Sequence, residues 1–318
     1  MRIIIIMEIM NHPLRQSITA CLIIGVMVFV AGCGGGDSSS TSDRPSLVVT
    51  YSILGAVVAD VVGDAADVTV LMPNGSDPHE WQPSAKDIEN VQNADLVVVN
   101  GLGLEAGLDD VLQQATDDNV KIFVATDHIT PRRVGEGEGA DPADEDQAVG
   151  AQDPHIWTDP AVMAEVVEAL SEVLSAMNIE VSEQAAKVSE DLLTLDRNID
   201  ESFMGIQDND RKLVTGHESL GYFARRYNLS LIGAIIPNLS STAEVSAADM
   251  TALKEKISEQ GVRVIFTELG TSSDVANSLA SDAGVKVVEL STHVLPNDGT
   301  YKSFMTELAS TILTAIKP

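Results

Sequence analysis

The sequence predicts an α/β protein of two lobes with parallel sheets, joined by a long rigid helix. Three observations predict it. Short strands of unbroken apolar character alternate with helical stretches, the alternation comes in two blocks, and the segment between the blocks is helical throughout. Strands that are apolar at every position, instead of at every second one, are buried on both faces, and such strands belong to parallel sheets covered by helices.

In the first block, 47–51 (LVVTY) is a β-branched run leading into a helix over 52–62, and 68–72 (VTVLM) is the second strand. After a loop, 84–92 reads as a helix with Ser84 as its N-cap, followed by strands at 95–100 and 121–125. The middle, 161–206, is helical. There Val188, Leu192, Leu195, Ile199, Phe203 and Ile206 recur at gaps of 4, 3, 4, 4 and 3, one apolar stripe with no proline or glycine before Gly205. A helix over 182–206 would be about 35 Å long, enough to pass from one lobe to the other. The second block repeats the alternation, with strands at 212–215, 231–236, 262–266 and 285–290 and helices at 220–227, 242–260, 273–283 and 301–316. The expected organisation is a Rossmann-like lobe over 46–181, a linking helix over 182–206 and a second Rossmann-like lobe over 207–318.

The chain of 318 residues holds 19 Lys plus Arg against 48 Asp plus Glu, a formal charge of −29, with 44% hydrophobic residues. So much apolar content rules out a disordered acidic tail, and the charge excludes nucleic acid or an anionic lipid surface as the main partner. Only Cys21 and Cys33 are present, so there is neither a disulfide framework nor a thiolate metal cluster. The acidity is densest in the loop 134–154, where Glu136, Glu138, Asp141, Asp144, Glu145, Asp146 and Asp153 occur without a basic residue. That composition builds no core.

Residues 1–33 read as an export signal: Arg2 and Arg15 flank the start, an apolar run covers 18–31, and small residues end it. The run is short against the roughly 20 apolar residues that cross a bilayer. An ordinary signal peptide or an anchor helix is the lesser alternative. The end Val30-Ala31-Gly32-Cys33 resembles a bacterial lipobox, which implies removal of 1–32 and lipidation of Cys33. Residues 33–45 then form a Gly/Ser-rich tether that holds an extracytoplasmic domain to the cell membrane.

Histidines carry the chemistry. His79 follows a strand within Asp77-Pro78-His79, and His155 stands in Asp153-Pro154-His155, with Asp159 as N-cap and Pro160 as the first residue of the next helix. His217 and His293 follow the strands at 212–215 and 285–290. Loops after the carboxyl ends of parallel strands converge on the ligand crevice, so histidines from both blocks can meet there. Neutral imidazoles suit a divalent transition metal, and three with one further donor complete a tetrahedron around Zn²⁺. The paired Asp-Pro-His sequences fix the backbone before each ring and place a carboxylate near it. Any one of these histidines alone reads more readily as a surface or hydrogen-bonded residue than as a ligand.

The stretches DPHEWQPS (77–84), ADLVVVNGLGLE (94–105), DPHIWTDP (153–160) and TGHESLGYFARRY (215–227) occur in order. With them, from Leu47 onward, the chain resembles the zinc- and manganese-binding solute-binding lipoproteins of ABC transporters, the cluster A-I family. The resemblance implies two lobes with a metal between them, a monomer that is not an enzyme, and delivery of the ion to a membrane permease. It implies His79, His155 and His217 as the first three metal ligands. Manganese carriers tend to have Glu at the third position, so His217 favours Zn²⁺ over Mn²⁺. At the fourth, where the family offers Asp, this chain has Ser291 or Thr292, and His293 stands one or two residues on. Glu268 is the alternative, as a ligand or as a support for one. The acidic loop lacks the histidines of zinc-binding relatives, which leaves it a weak cation antenna or a solvated spacer. His128 has no counterpart and reads as structural or exposed.

Two other functions stay open on residue chemistry. Three histidines and an open position also describe a catalytic zinc site, with Glu80 or Glu218 as the base of a hydrolase. The same fold could serve as an adhesin. Gly101-Leu102-Gly103 is too sparse for a nucleotide fingerprint.

Overall fold

The computed structural model describes residues 44–135, 138 and 149–317. The expected signal, the lipidation site Cys33, nearly all of the tether and the centre of the acidic loop lie outside the described residues. Among the described residues no helix is long and apolar enough to cross a membrane.

The first lobe is built on β1 (Ser46–Val49), β2 (Asp67–Val70), β3 (Leu96–Val99) and β4 (Ile122–Val124), all parallel in the order β2-β1-β3-β4. Every residue of β3 is buried, as an unbroken apolar run requires. Helix α1 (Ser52–Val62) covers the sheet with Ile53, Leu54, Val57, Val58 and Val61. Helices α2 (Ala85–Gln92) and α3 (Asp109–Asp117) complete the lobe. Ser84 is the N-cap of α2 in a full capping box: its hydroxyl accepts the Asp87 N–H, and the Asp87 carboxylate accepts the Ser84 N–H at 2.8 Å.

The helical middle consists of α4 (Pro160–Ala176) and α5 (Ser182–Phe203). Val188, Leu192, Leu195, Ile199 and Phe203 are buried, so the stripe read from the sequence is the packed face. The helix stops at Phe203, short of 206, and Arg211 caps its exit: Nη2 donates to Phe203 O at 2.6 Å and Nε to Ile206 O, beyond the helix, at 3.1 Å.

In the second lobe β5 (Lys212–Thr215) pairs with β6 (Ser230–Ala234), and β7 (Val264–Thr267) with β8 (Lys286–Glu289), both parallel. Where the sequence suggests one sheet, the ladder divides into two pairs with β5 beside β7. Helices α6 (Gly221–Arg226), α7 (Ala247–Gln260) and α8 (Ser273–Ala283) follow their strands. The last helix, α9 (Tyr301–Ile316), leaves this lobe to pack against α5 and α1. Its Phe304, Met305, Leu308 and Ile312 therefore join the large core shared by β1, β3, α1, α4 and α5, while Val214, Ile235, Leu253, Ile257, Ile265 and Leu279 form a second, smaller core.

Candidate metal site

Each of the first three histidines is set by a carboxylate acting on its backbone or its ring. Asp77 Oδ1 accepts the His79 N–H at 3.0 Å, and Asp153 Oδ1 accepts the His155 N–H at 2.9 Å, so the two Asp-Pro-His sequences form the same turn. They differ beyond that point. Asp153 Oδ1 also meets His155 Nδ1 at 2.8 Å, whereas Asp77 turns its other oxygen to the Ser241 hydroxyl of the second lobe, at 2.6 Å. His217 is held by Glu268, whose Oε1 accepts the His217 N–H at 3.0 Å and lies 3.1 Å from Nδ1, an ion-pair contact off the line of a good hydrogen bond. Ser219 Oγ lies 2.8 and 2.7 Å from the two Glu268 oxygens. Gly216 makes room for this: a Cβ there would lie 2.8 Å from Glu268 Cγ and 2.1 Å from Thr271 Oγ1.

With their Nδ1 edges held from behind, His155 and His217 turn Nε2 inward. His79 Nε2 lies 3.3 Å and His217 Nε2 3.2 Å from His155 Nε2, and one donor from each ring falls within 4.8 Å of the others. The rings are tilted by 56°, 89° and 64° to one another, so edges converge where faces do not stack. Three nitrogen lone pairs at this separation repel unless a cation or a proton sits among them.

The three rings differ in their hold on a proton. Burial lowers the pKa of His79 and of His155, aided at His79 by the neighbouring rings and resisted at His155 by Asp153. His217 is raised: burial opposes its charge, but Glu268, Asp77 and Asp153 outweigh it. Glu268 is correspondingly held below the usual carboxylate range, since the His217 charge overcomes the penalty of burial. Glu268 thus faces the Nδ1 side of His217, and Nε2 is the nitrogen turned toward the other rings.

The structure does not bring His293 into this cluster of donors. Its ring stacks on His217 at 6.0 Å with an 18° tilt, meets Trp157 edge-on at 5.4 Å, and has Nδ1 2.9 Å from Thr292 Oγ1. Its Nε2 is buried without a hydrogen-bond partner among the described residues, and burial pushes the ring down to about 4. Glu268 stands outside the cluster too, its oxygens engaged with His217 and Ser219. His128 stacks on Phe123 at 4.5 Å, exposed and remote from the site.

Sequence reasoning missed Ser219, Ser241 and Trp157 as parts of the site. Trp157 packs on His155 at 5.2 Å and donates Nε1–H to Thr292 O at 2.9 Å, which fixes the loop that bears His293. Only its place inside DPHIWTDP could have signalled this. A cavity of about 810 Å³ opens beside the site between residues of both lobes, with His79, Arg133, Gln152, Leu239 and Thr242 on its wall. Of the three clustered histidines His79 alone lines it.

Residues 47–315 match the family model described as zinc-uptake complex component A, periplasmic. The chain belongs to that family. Among zinc-uptake relatives, it is 29% identical over 282 residues to the high-affinity zinc uptake system protein ZnuA of Bacillus subtilis, covering 86% of each chain. It is 26% identical to the manganese-binding lipoprotein MntA of Halalkalibacterium halodurans, over 84% of this chain and 85% of the relative. The periplasmic zinc binding protein TroA from Treponema pallidum superposes with a TM-score of 0.74 at 24% identity, over 86% of this chain and 100% of that one, and so shares the two-lobed fold. A component-A chain is a solute-binding part of a transport system, so the hydrolase alternative falls. Glu218, one of its two candidate bases, is buried with its carboxyl pushed up to about 8 by that burial and by Glu138.

Proposed function

We propose that this chain captures Zn²⁺ outside the cytoplasm and hands it to the permease of an ABC importer, acting as a monomer tethered through Cys33. The observation that carries the reading is the convergence of three imidazole Nε2 atoms from both blocks of the chain. A site of nitrogen donors suits Zn²⁺ and offers Mn²⁺ none of the oxygen it prefers. His79, His155 and His217 hold the ion. His293, whose buried Nε2 has no hydrogen-bond partner among the described residues, completes the tetrahedron by a small movement of its ring, while Glu268 stays behind His217 as its support. Helix α5 links the two lobes, 46–181 and 207–318, and limits the hinge motion between them.

Calorimetry on the metal-free protein is expected to show one tightly bound Zn²⁺ with Mn²⁺ competing poorly. Equal or better Mn²⁺ affinity would overturn the metal assignment. His293→Ala is expected to weaken zinc by about tenfold or more, in line with the loss of one ligand or its support. Unchanged affinity in that variant removes His293 from the ligand set and leaves the fourth position to water.

A further inference from the structure

Arg132 stands apart from every histidine of the site, yet the structure spends much to place it. It lies at the foot of the acidic loop, opposite Asp153, where the Asp153 N–H donates to Arg132 O at 2.9 Å and the next step is bridged by Arg133 and Gln152. Its side chain is only 7% exposed, a costly position for a guanidinium unless every face is paired. Nη1 donates to Asp153 Oδ2 at 3.1 Å and Nη2 to Glu138.

The Asp153 carboxylate is therefore divided. One oxygen is held by Arg132, and the other accepts both the His155 N–H and His155 Nδ1. A carboxylate gripped on both sides cannot rotate, and neither can the ring it orients.

The cover over this ion pair comes from the second lobe. A Cβ on Gly221, the first residue of α6, would lie 2.4 Å from both Arg132 Nη1 and Asp153 Oδ2, so the helix start lies flush on the pair. The next residue, Tyr222, accepts the Arg132 N–H on its hydroxyl at 2.8 Å in a buried bond. Asp153 and Arg132 belong to the first block of the chain, Gly221 and Tyr222 to the second.

We infer that Arg132 is a positioning residue that couples closure of the lobes to retention of the metal: with α6 seated on the Arg132–Asp153 pair His155 is locked, and with α6 lifted water reaches the pair and the ring is released. The ion pair gains strength from the exclusion of water and loses it once wet. A permease that pries the lobes apart would then loosen a ligand without touching it. The inference rests on the metal site proposed above.

Zinc release into excess chelator, followed by stopped flow, tests it, together with the visible spectrum of the Co²⁺-loaded protein. Arg132→Met is expected to speed release by about tenfold or more with little change in association, and to alter the Co²⁺ bands. Arg132→Lys should restore part of both. Gly221→Ala changes no donor and no charge, and should shift both readouts in the same direction by displacing the pair. Should Arg132→Met fail to fold, Gly221→Ala and Tyr222→Phe decide the matter. Release rates and Co²⁺ spectra unchanged in the folded variants would overturn the role of Arg132 alone, whereas an unaltered protein that bound no zinc would remove the site itself.

Discussion

His217 is the ring at which acid acts first. A proton and a metal ion compete for the same Nε2, and the carboxylates around His217 raise its pKa, while burial lowers those of His79 and His155. Those two rings stay neutral through the physiological range, so for the proposed zinc site the expected loss of metal on acidification is set by His217 and begins above the ordinary histidine value of about 6.5. Calorimetric affinities between pH 8 and pH 5.5 are expected to fall steadily, and a flat profile would sink histidine ligation. Glu218 gives a stability effect of opposite dependence. Its carboxyl is pushed from 4.5 up to about 8, so the folded protein keeps a proton that the unfolded chain has released. Stability contributed by that proton is present at low pH and disappears as pH rises toward about 8. Glu218→Gln in the metal-free protein should match the parent only below the unfolded value of 4.5 and melt ~5 °C higher at pH 8. A melting difference that does not grow with pH counts against it. At this scale the three clustered histidines were legible because each follows a strand or opens a helix within a recognisable stretch. Ser219 and Arg132 were not, because Ser219 acts on Glu268 across 49 positions and Arg132 meets Tyr222 across 90.

Among the elements, α5 shows how a periodic stripe becomes a tie between lobes. Its buried Asp196 takes Arg226 Nε at 2.7 Å, Arg226 Nη2 and the Tyr227 hydroxyl at 3.3 Å, all from the end of α6. Asp196→Ala strands the phenol and the guanidinium together. Because Arg226 is 40% exposed, water softens the loss, and the expected cost is about 1–2 kcal/mol in urea denaturation. A midpoint indistinguishable from the parent would show the tie to be idle. Apolar periodicity made α5 legible, and the alternation of strands and helices placed α8 and α9 where they stand. It failed at α7, which the sequence starts at 242 and the structure at Ala247. There the hydroxyls of Ser240 and Thr242 pair at 2.8 Å in a turn, and Ser246 with Asp249 forms the capping box that fixes the true start. Competing local hydrogen bonds of this kind leave no trace in hydrophobicity.

For the whole molecule, the charge of −29 is mostly remote from a site whose clustered donors are neutral rings. Its effect is on approach. Surface carboxylates raise the local concentration of cations, and salt screens that field over about 10 Å at 0.1 M. Zinc association is therefore expected to slow as ionic strength rises while dissociation stays constant, a separation that stopped flow measures directly. An association rate independent of salt would assign the acidity to solubility alone. The sign of the charge and the two α/β blocks could be read in advance. The division of the core could not, because it depends on where the last helix lands.

That landing bears on movement. The chain passes from one lobe to the other along α5 and returns when α9 packs on α5 and α1. A body joined at one point can swing, tilt and twist. Joined at two, like a door on a pair of hinges, it keeps one axis of swing, and every opening of the cleft must follow the same arc.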